Sequence, residues 1–277
     1  PRVRRQRQMC IRDRTRNERT LVINPLKWEN GMYRMDLDAF REQIKGCKLF
    51  ILCNPHNPGG VVWTEAELRA IADICYDEKV LVFSDEIHAD LTLPPHTHRP
   101  FATVCEKARM NSVTFMSPSK AFNMPGLSAS HALIFNEDLR KRFRIYMDAG
   151  ELDMGHVFAF LSVEAAYSHG TEWLDQCLAY IQGNIDFVDE FLKKHAPKIK
   201  AIRPEASYLV WLDCRELELS QKDLNEFFVD KAHLALNDGE MFGKEGIGFM
   251  RLNVASPRCI IEKAMKQLAD AYQLYIK

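Results

Sequence analysis

Lys120 stands in Ser117-Pro118-Ser119-Lys120-Ala121-Phe122-Asn123, directly after the largely apolar run Val113-Thr114-Phe115-Met116. Asp85 stands in Ser84-Asp85-Glu86-Ile87-His88, directly after Val80-Leu81-Val82-Phe83. Both polar residues fall where a buried strand is expected to end, and in open α/β sheets ligands collect at the carboxyl ends of strands. A lysine there can form a Schiff base, and an aspartate there can hold a pyridinium nitrogen. Together they supply the protein's half of pyridoxal phosphate chemistry. Taken singly, each has a plainer reading: a solvated turn lysine, and a helix cap or ion-pair partner.

Three further sites face the same question. Asn54-Pro55-His56-Asn57-Pro58-Gly59-Gly60 follows the apolar run Leu49–Cys53, so Asn54 is a strand-end amide in a rigid turn that could hold a phenolate oxygen. His88, three residues after Asp85, is either a neighbour of the cofactor's phenolic oxygen or a loop histidine. Arg251, amid Phe249-Met250-Arg251-Leu252-Asn253-Val254, needs an anion, either an internal carboxylate or the α-carboxylate of a substrate. His88, His96 and His98 do not have metal-ligand spacing, and the run Pro94–Pro100 reads as a rigid polar loop. No G-x-G-x-x-G or Walker A loop is present.

The elements that must position these residues alternate in α/β rhythm. A short strand is expected at Thr20–Ile23, a helix at Leu37–Ile44 and a strand at Leu49–Cys53. Thr64 and Glu67 form a capping box for a helix reaching about Glu78, with Leu68, Ile71, Ala72 and Cys75 on one face. Strands follow at Val80–Phe83, Ser112–Met116 and Ala129–Phe135, and a short helix at Val104–Arg109. Beyond Asn136 the pattern turns to long helices, at 137–147, 156–168 and 171–195, the last closed by Pro197. The end is mixed: strands at 207–213 and 249–254, helices at 221–231 and from Pro257 to Tyr275. The domain reading is 1–16 disordered or non-native, 17–175 a partial cofactor-binding domain, and 176–277 a small C-terminal domain.

Bulk composition narrows the function classes. The chain of 277 residues is 47% hydrophobic and 27% charged, the balance of a soluble globular protein with no apolar run long enough to cross a bilayer. Residues 1–19 hold eight of the 37 basic residues and two of the 38 acidic ones. The remainder, with 29 basic and 36 acidic, is net −7 and a poor electrostatic partner for nucleic acid. Eight cysteines with no C-x-x-C pair read as reduced thiols of a cytoplasmic protein.

Taken in order, Asn-Pro-His-Asn-Pro-Gly-Gly, Ser-Asp-Glu-Ile-His-Ala-Asp-Leu, Ser-Pro-Ser-Lys-Ala-Phe-Asn and Arg-Leu-Asn resemble the class I/II aminotransferases. Within that family the chain is most similar to the cystathionine β-lyase branch of MalY/PatB type, from Asn17 to Lys277. The resemblance implies a three-layer αβα large domain, here incomplete, with a smaller C-terminal α+β domain. It implies that Lys120 carries pyridoxal phosphate and shuttles the α-proton. Asp85 would pair with the ring nitrogen and Asn54 with the ring oxygen, with His88 close by. Ser117 and Ser119 would touch the phosphate, and Arg251 would clamp the substrate carboxylate. The implied activity is C–S β-elimination on cystathionine or a cysteine conjugate, in a homodimer. Two other outcomes stay open: an aminotransferase using the same residues, and an inactive fragment. Nothing before Asn17 matches the Gly-rich turn that cradles the phosphate in such enzymes, so the chain reads as N-terminally truncated and its cofactor binding is expected to be weak.

Overall fold

The computed structural model describes residues 19–29, 31–152, 154–155 and 157–275, so the expectation for residues 1–16 lies outside the described part. The chain opens with a hairpin, β1 (Leu26–Glu29) against β2 (Met32–Met35), with Trp28 edge-on to Tyr33. The sequence predicts a strand earlier, at Thr20–Ile23. Those residues join no sheet, and Val22 and Ile23 are about half exposed. The overlooked signal was Asn30-Gly31, a dipeptide that favours a tight hairpin turn.

The first sheet holds the site. It orders β3 (Leu49–Cys53), β4 (Leu81–Asp85) and β5 (Ser112–Met116) in parallel, with β6 (His131–Leu133) antiparallel at the far edge. Helices α1 (Leu37–Gln43), α2 (Glu65–Asp77) and α3 (Glu106–Met110) surround its first strands. The α2 start is fixed as the sequence predicts. Thr64 Oγ1 accepts from the Glu67 amide at 3.2 Å, while Glu67 Oε2 accepts from the Thr64 amide at 2.8 Å. This orients Leu68, Ile71, Ile74 and Cys75 into a core with Phe40, Leu52, Trp63, Val82 and Phe101. Parallel pairing aligns Cys53, Asp85 and Phe115 across three strands, so their carboxyl ends form one ledge.

After the one-turn helix α4 (Pro118–Ala121) come α5 (Glu137–Ala149), α6 (Val157–His169) and the long α7 (Thr171–His195). The second half of α7 buries Ile181, Ile185, Val188 and Leu192 against Ile261, Met265 and Leu268 of the final helix, α9 (Arg258–Tyr275). Between them lies an antiparallel sheet of order β7 (Lys200–Ile202), β8 (Leu209–Asp213), β10 (Phe249–Asn253) and β9 (Asn237–Asp238). The expected helix over 221–231 is α8 (Gln221–Glu226), which widens into a π turn over Phe227–Lys231.

One short segment joins the two sheets. Glu205 donates its amide to Gly60 O at 2.8 Å and its Oε2 accepts from the Val62 amide at 2.7 Å. Its carbonyl accepts from Leu93, and Ser207 donates to Leu91 O. Gly60 has φ +71, and a Cβ there would lie 2.7 Å from Pro204 Cβ, so the close approach requires glycine.

Candidate active site at the strand ends

β3 hands over to a turn at Asn54, whose amide extends the ladder by donating to Asp85 O at 3.0 Å. Asp85 is the last residue of β4, and its Oδ1 accepts from the Ile87 amide at 3.4 Å. Burial pushes its carboxyl above the usual carboxylate range. The charge of Glu86 pushes the same way, and the Ile87 amide and the Lys120 ammonium oppose them. Lys120 sits in α4 directly beyond β5, a helix that Ser117 caps by accepting from the Ser119 amide at 3.1 Å. Ser117 Oγ lies 2.7 Å from Ser119 Oγ and donates to Ala129 O at 2.6 Å. The Lys120 charge acts on both Asp85 and His88, so amine, carboxylate and imidazole share one electrostatic environment.

A cavity of about 250 Å³ opens at this ledge; its wall includes Cys53, His56, Asn57, Asp85, His88 and Arg251. Of the residues expected from sequence, Asp85, His88 and Arg251 therefore line a common hollow, whereas Lys120, Ser117 and Ser119 are not in its wall and Lys120 reaches Asp85 and His88 by its charge. Asn54 is fully buried but not in the wall. Its Nδ2 donates to Arg99 O at 3.1 Å, and its Oδ1 has no hydrogen-bond partner.

Of the two asparagines in the Asn54–Gly60 turn, the one that lines the hollow is Asn57, which repeats the same Asn-Pro pair. Its Oδ1 accepts from Arg251 Nη1 at 3.0 Å, and its Nδ2 lies 3.4 Å from His88 Nε2. Arg251 Nη2 donates to Asn237 Oδ1 at 2.7 Å, and the guanidinium lies over the Phe242 ring at 4.6 Å. Two amides and an aromatic face thus hold the fork. A guanidinium can only donate, so it turns Oδ1 of Asn57 toward itself and Nδ2 toward His88. His88 Nε2 must then accept, which places the imidazole proton on Nδ1, a buried atom with no hydrogen-bond partner.

His88 is held neutral. Burial, then the charges of Lys120 and Arg251, bring it from 6.5 down to about 3. The native imidazole stays unprotonated where the unfolded one takes a proton. Stability from this residue is therefore present above 6.5 and is lost as pH falls from there toward 3. We expect the His88 ring signals in an NMR titration not to move between about pH 5 and 8. A midpoint near 6.5 would contradict the burial described here.

The wall of the hollow thus presents the Arg251 guanidinium, the buried carboxylate of Asp85 and a neutral imidazole, an arrangement in which the guanidinium can take a carboxylate. Comparisons with known proteins point the same way. Residues 9–268 match the family model of aminotransferase class I and II. The chain is 37% identical over 258 residues to cystathionine β-lyase PatB of Bacillus subtilis, covering 92% of this chain and 67% of that protein. A PLP-bound putative aminotransferase from Clostridium difficile superposes with a TM-score of 0.93 at 38% identity, covering 96% of this chain and 69% of that one. Cystalysin from Treponema denticola, which contains pyridoxal 5'-phosphate, superposes with a TM-score of 0.93 at 33% identity, covering 96% and 68%. The chain spans about two thirds of the length of the relatives it matches.

Proposed function

Because the chain belongs to the aminotransferase class I and II family, we propose that it performs pyridoxal phosphate-dependent β-elimination at carbon–sulfur bonds. The substrate is a thioether amino acid, cystathionine or a cysteine conjugate. The observation that carries this reading is the buried carboxylate of Asp85, under the influence of Lys120, in a hollow that also holds the Arg251 fork. Similarity to PatB and cystalysin favours elimination as the outcome.

The residues present fit the cofactor. A carboxylate that burial destabilises is matched by a protonated pyridine nitrogen, and we assign that pairing to Asp85. His88, which lines the hollow, has a buried Nδ1 still lacking a partner, which a ligand can satisfy. We assign the ring-oxygen contact to His88 and Asn57, which line the hollow, rather than to Asn54, which is not in its wall. Ser119, beside Lys120, is assigned to the phosphate, with Ser117 fixing its orientation.

When bound, pyridoxal phosphate supplies an electron sink for the pair left at the substrate's α-carbon. The chain's own groups do the rest. Arg251, held by Asn57 and Asn237, takes the α-carboxylate in a bidentate grip. Lys120 Nζ anchors the cofactor at rest, and as a free amine removes the α-proton. The Cβ–S bond then breaks and the sulfur leaves as a thiol after taking up a proton. With one water consumed, the remaining carbons leave as pyruvate and ammonia.

The second reading, transamination, is favoured by the likeness to the Clostridium difficile protein. One assay separates the two. With added pyridoxal phosphate and cystathionine, the lyase releases thiol and pyruvate in equal amounts with no keto acid added. Turnover that needs a keto acid would replace elimination by transamination. No yellow absorbance and no product would sink both.

Several coarser assignments belong to this reading. Tyr146 of α5, Met154 of the connecting segment and Val157, Phe158 and Phe160 of α6 are apolar side chains more than half exposed, and a homodimer would cover them. Separate units at 17–175 and 176–277 are supported by the two sheets and their own cores. A cytoplasmic location is supported by seven free thiols among the described residues. No helix among these residues is long and apolar enough to cross a membrane. The acidic body argues against nucleic acid as a partner.

A further inference from the structure

The residue after Asp85 is a buried carboxylate that the chemistry above does not use. Glu86 is 1% exposed. Its Oε1 accepts from Ser84 Oγ at 2.7 Å and from the Phe101 amide at 2.8 Å. Its Oε2 lies 2.7 Å from His98 Nε2, in a pair whose side chains are 0% and 9% exposed. A carboxylate accepts, so His98 carries a proton on Nε2. His98 Nδ1 is buried without a hydrogen-bond partner, so the Glu86 contact is what fixes the ring.

The next residue makes the connection to the site. Arg99 O accepts from Asn54 Nδ2 at 3.1 Å, and the Asn54 amide donates to Asp85 O at 3.0 Å. A closed circuit results: strand end at Asp85 and Glu86, ring of His98, carbonyl of Arg99, side chain of Asn54, and back to Asp85. The turn that leaves Asn54 carries His56 and Asn57 into the wall of the hollow. Without the circuit, Asn54 keeps its backbone bond but loses the contact that orients its side chain.

We propose that Glu86 and His98 are positioning residues that brace the Asn54–Gly60 turn at the cofactor hollow, acting through the carbonyl of Arg99. A pair that only stabilised the fold would be felt evenly across the molecule. A brace is felt at the turn. The inference rests on the reading of this hollow as the cofactor site, and its main test is made without cofactor so that the two can fail separately.

The test is amide hydrogen exchange on the free chain, followed at Asn54, His56 and Gly60 and, for reference, at Val210 and Leu212 of β8. In H98A the three turn amides are expected to exchange at least about tenfold faster while the β8 amides keep their rates. H98Q, whose side-chain amide can place a donor near the ring Nε2 position, is expected to restore rates to within about threefold of the parent chain. N54A should give the same local effect, and N54A/H98A no more than N54A alone, because both act through one circuit. If H98A does not fold, H98N replaces it, since its shorter side chain is polar but cannot reach Glu86. Pyridoxal phosphate titration should then show binding about tenfold weaker in H98A, with H98Q near the parent value. Equal acceleration at β8, unchanged turn rates, failure of H98Q to rescue, or full additivity with N54A would each overturn the brace. Local acceleration in a chain that never binds pyridoxal phosphate would leave the brace standing and remove the cofactor assignment instead.

Discussion

Lys120→Ala is expected to lower kcat/KM for thiol release by about 10⁴-fold or more, because it removes both the covalent anchor and the base at the α-carbon. The loss should fall mainly on kcat, since Arg251 and its two amide partners still hold the carboxylate. An added small amine should recover part of the rate by serving as an external base. The fold should be little affected, because Lys120 is half-buried in a one-turn helix that Ser117 caps. The substitution also has an electrostatic signature that needs no turnover. The Lys120 charge holds Asp85 and His88 down, so its removal should raise both, which an NMR titration of His88 can follow. A variant that kept even a tenth of the parent rate would remove Lys120 from the chemistry.

Asp85→Asn should separate stability from function. The Asp85 carboxyl is protonated more readily in the folded chain than in the unfolded one, chiefly through burial. Whatever stability this group confers is present below the ordinary carboxylate range and is lost as pH rises through the folded value. Because burial outweighs the opposing Lys120 charge, ionising Asp85 at neutral pH is a cost to the folded chain, and the neutral amide should melt higher than the parent when no cofactor is present. Added pyridoxal phosphate should reverse that order, because a ligand that binds only the folded state stabilises it in proportion to its affinity. Turnover should fall by about 10³-fold, since an amide cannot keep the ring nitrogen protonated. Thermal melts at pH 7 with and without pyridoxal phosphate, beside the elimination assay, decide the matter. Equal cofactor response and equal rate in D85N would dissolve the proposed pairing.

How much of this was legible in the sequence depended on how local each signal was. The strands Leu49–Cys53 and Ser112–Met116 and the helix Thr171–His195 fall where apolar runs and periodicity put them, because a continuous apolar run and a long amphipathic repeat are local signals. The Thr64–Glu67 box was readable for the same reason: both partners lie within one turn. Asp85, His88 and Arg251 were legible as polar residues stranded at apolar elements, and the fold collects them. The choice between Asn54 and Asn57 was not, because it depends on Arg99 and Arg251, 45 and 194 positions away along the chain. Glu86 was hidden for a related reason. In Ser84-Asp85-Glu86 it looks like a solvated neighbour, and its burial comes from Phe101 and His98 folding back over the strand end.

The contact between Gly60 and Pro204 carries a lesson about inheritance. A methyl group at position 60 would collide with Cα and Cβ of residue 204, in the loop between β7 and β8, and these are atoms that every residue but glycine carries, so position 60 is held to glycine whatever side chain stands at 204. Lineages descending from this sequence should keep glycine at 60 while the side chain at 204 varies, and grafting the second half of a relative onto this first half should succeed only where its backbone can approach position 60 as closely.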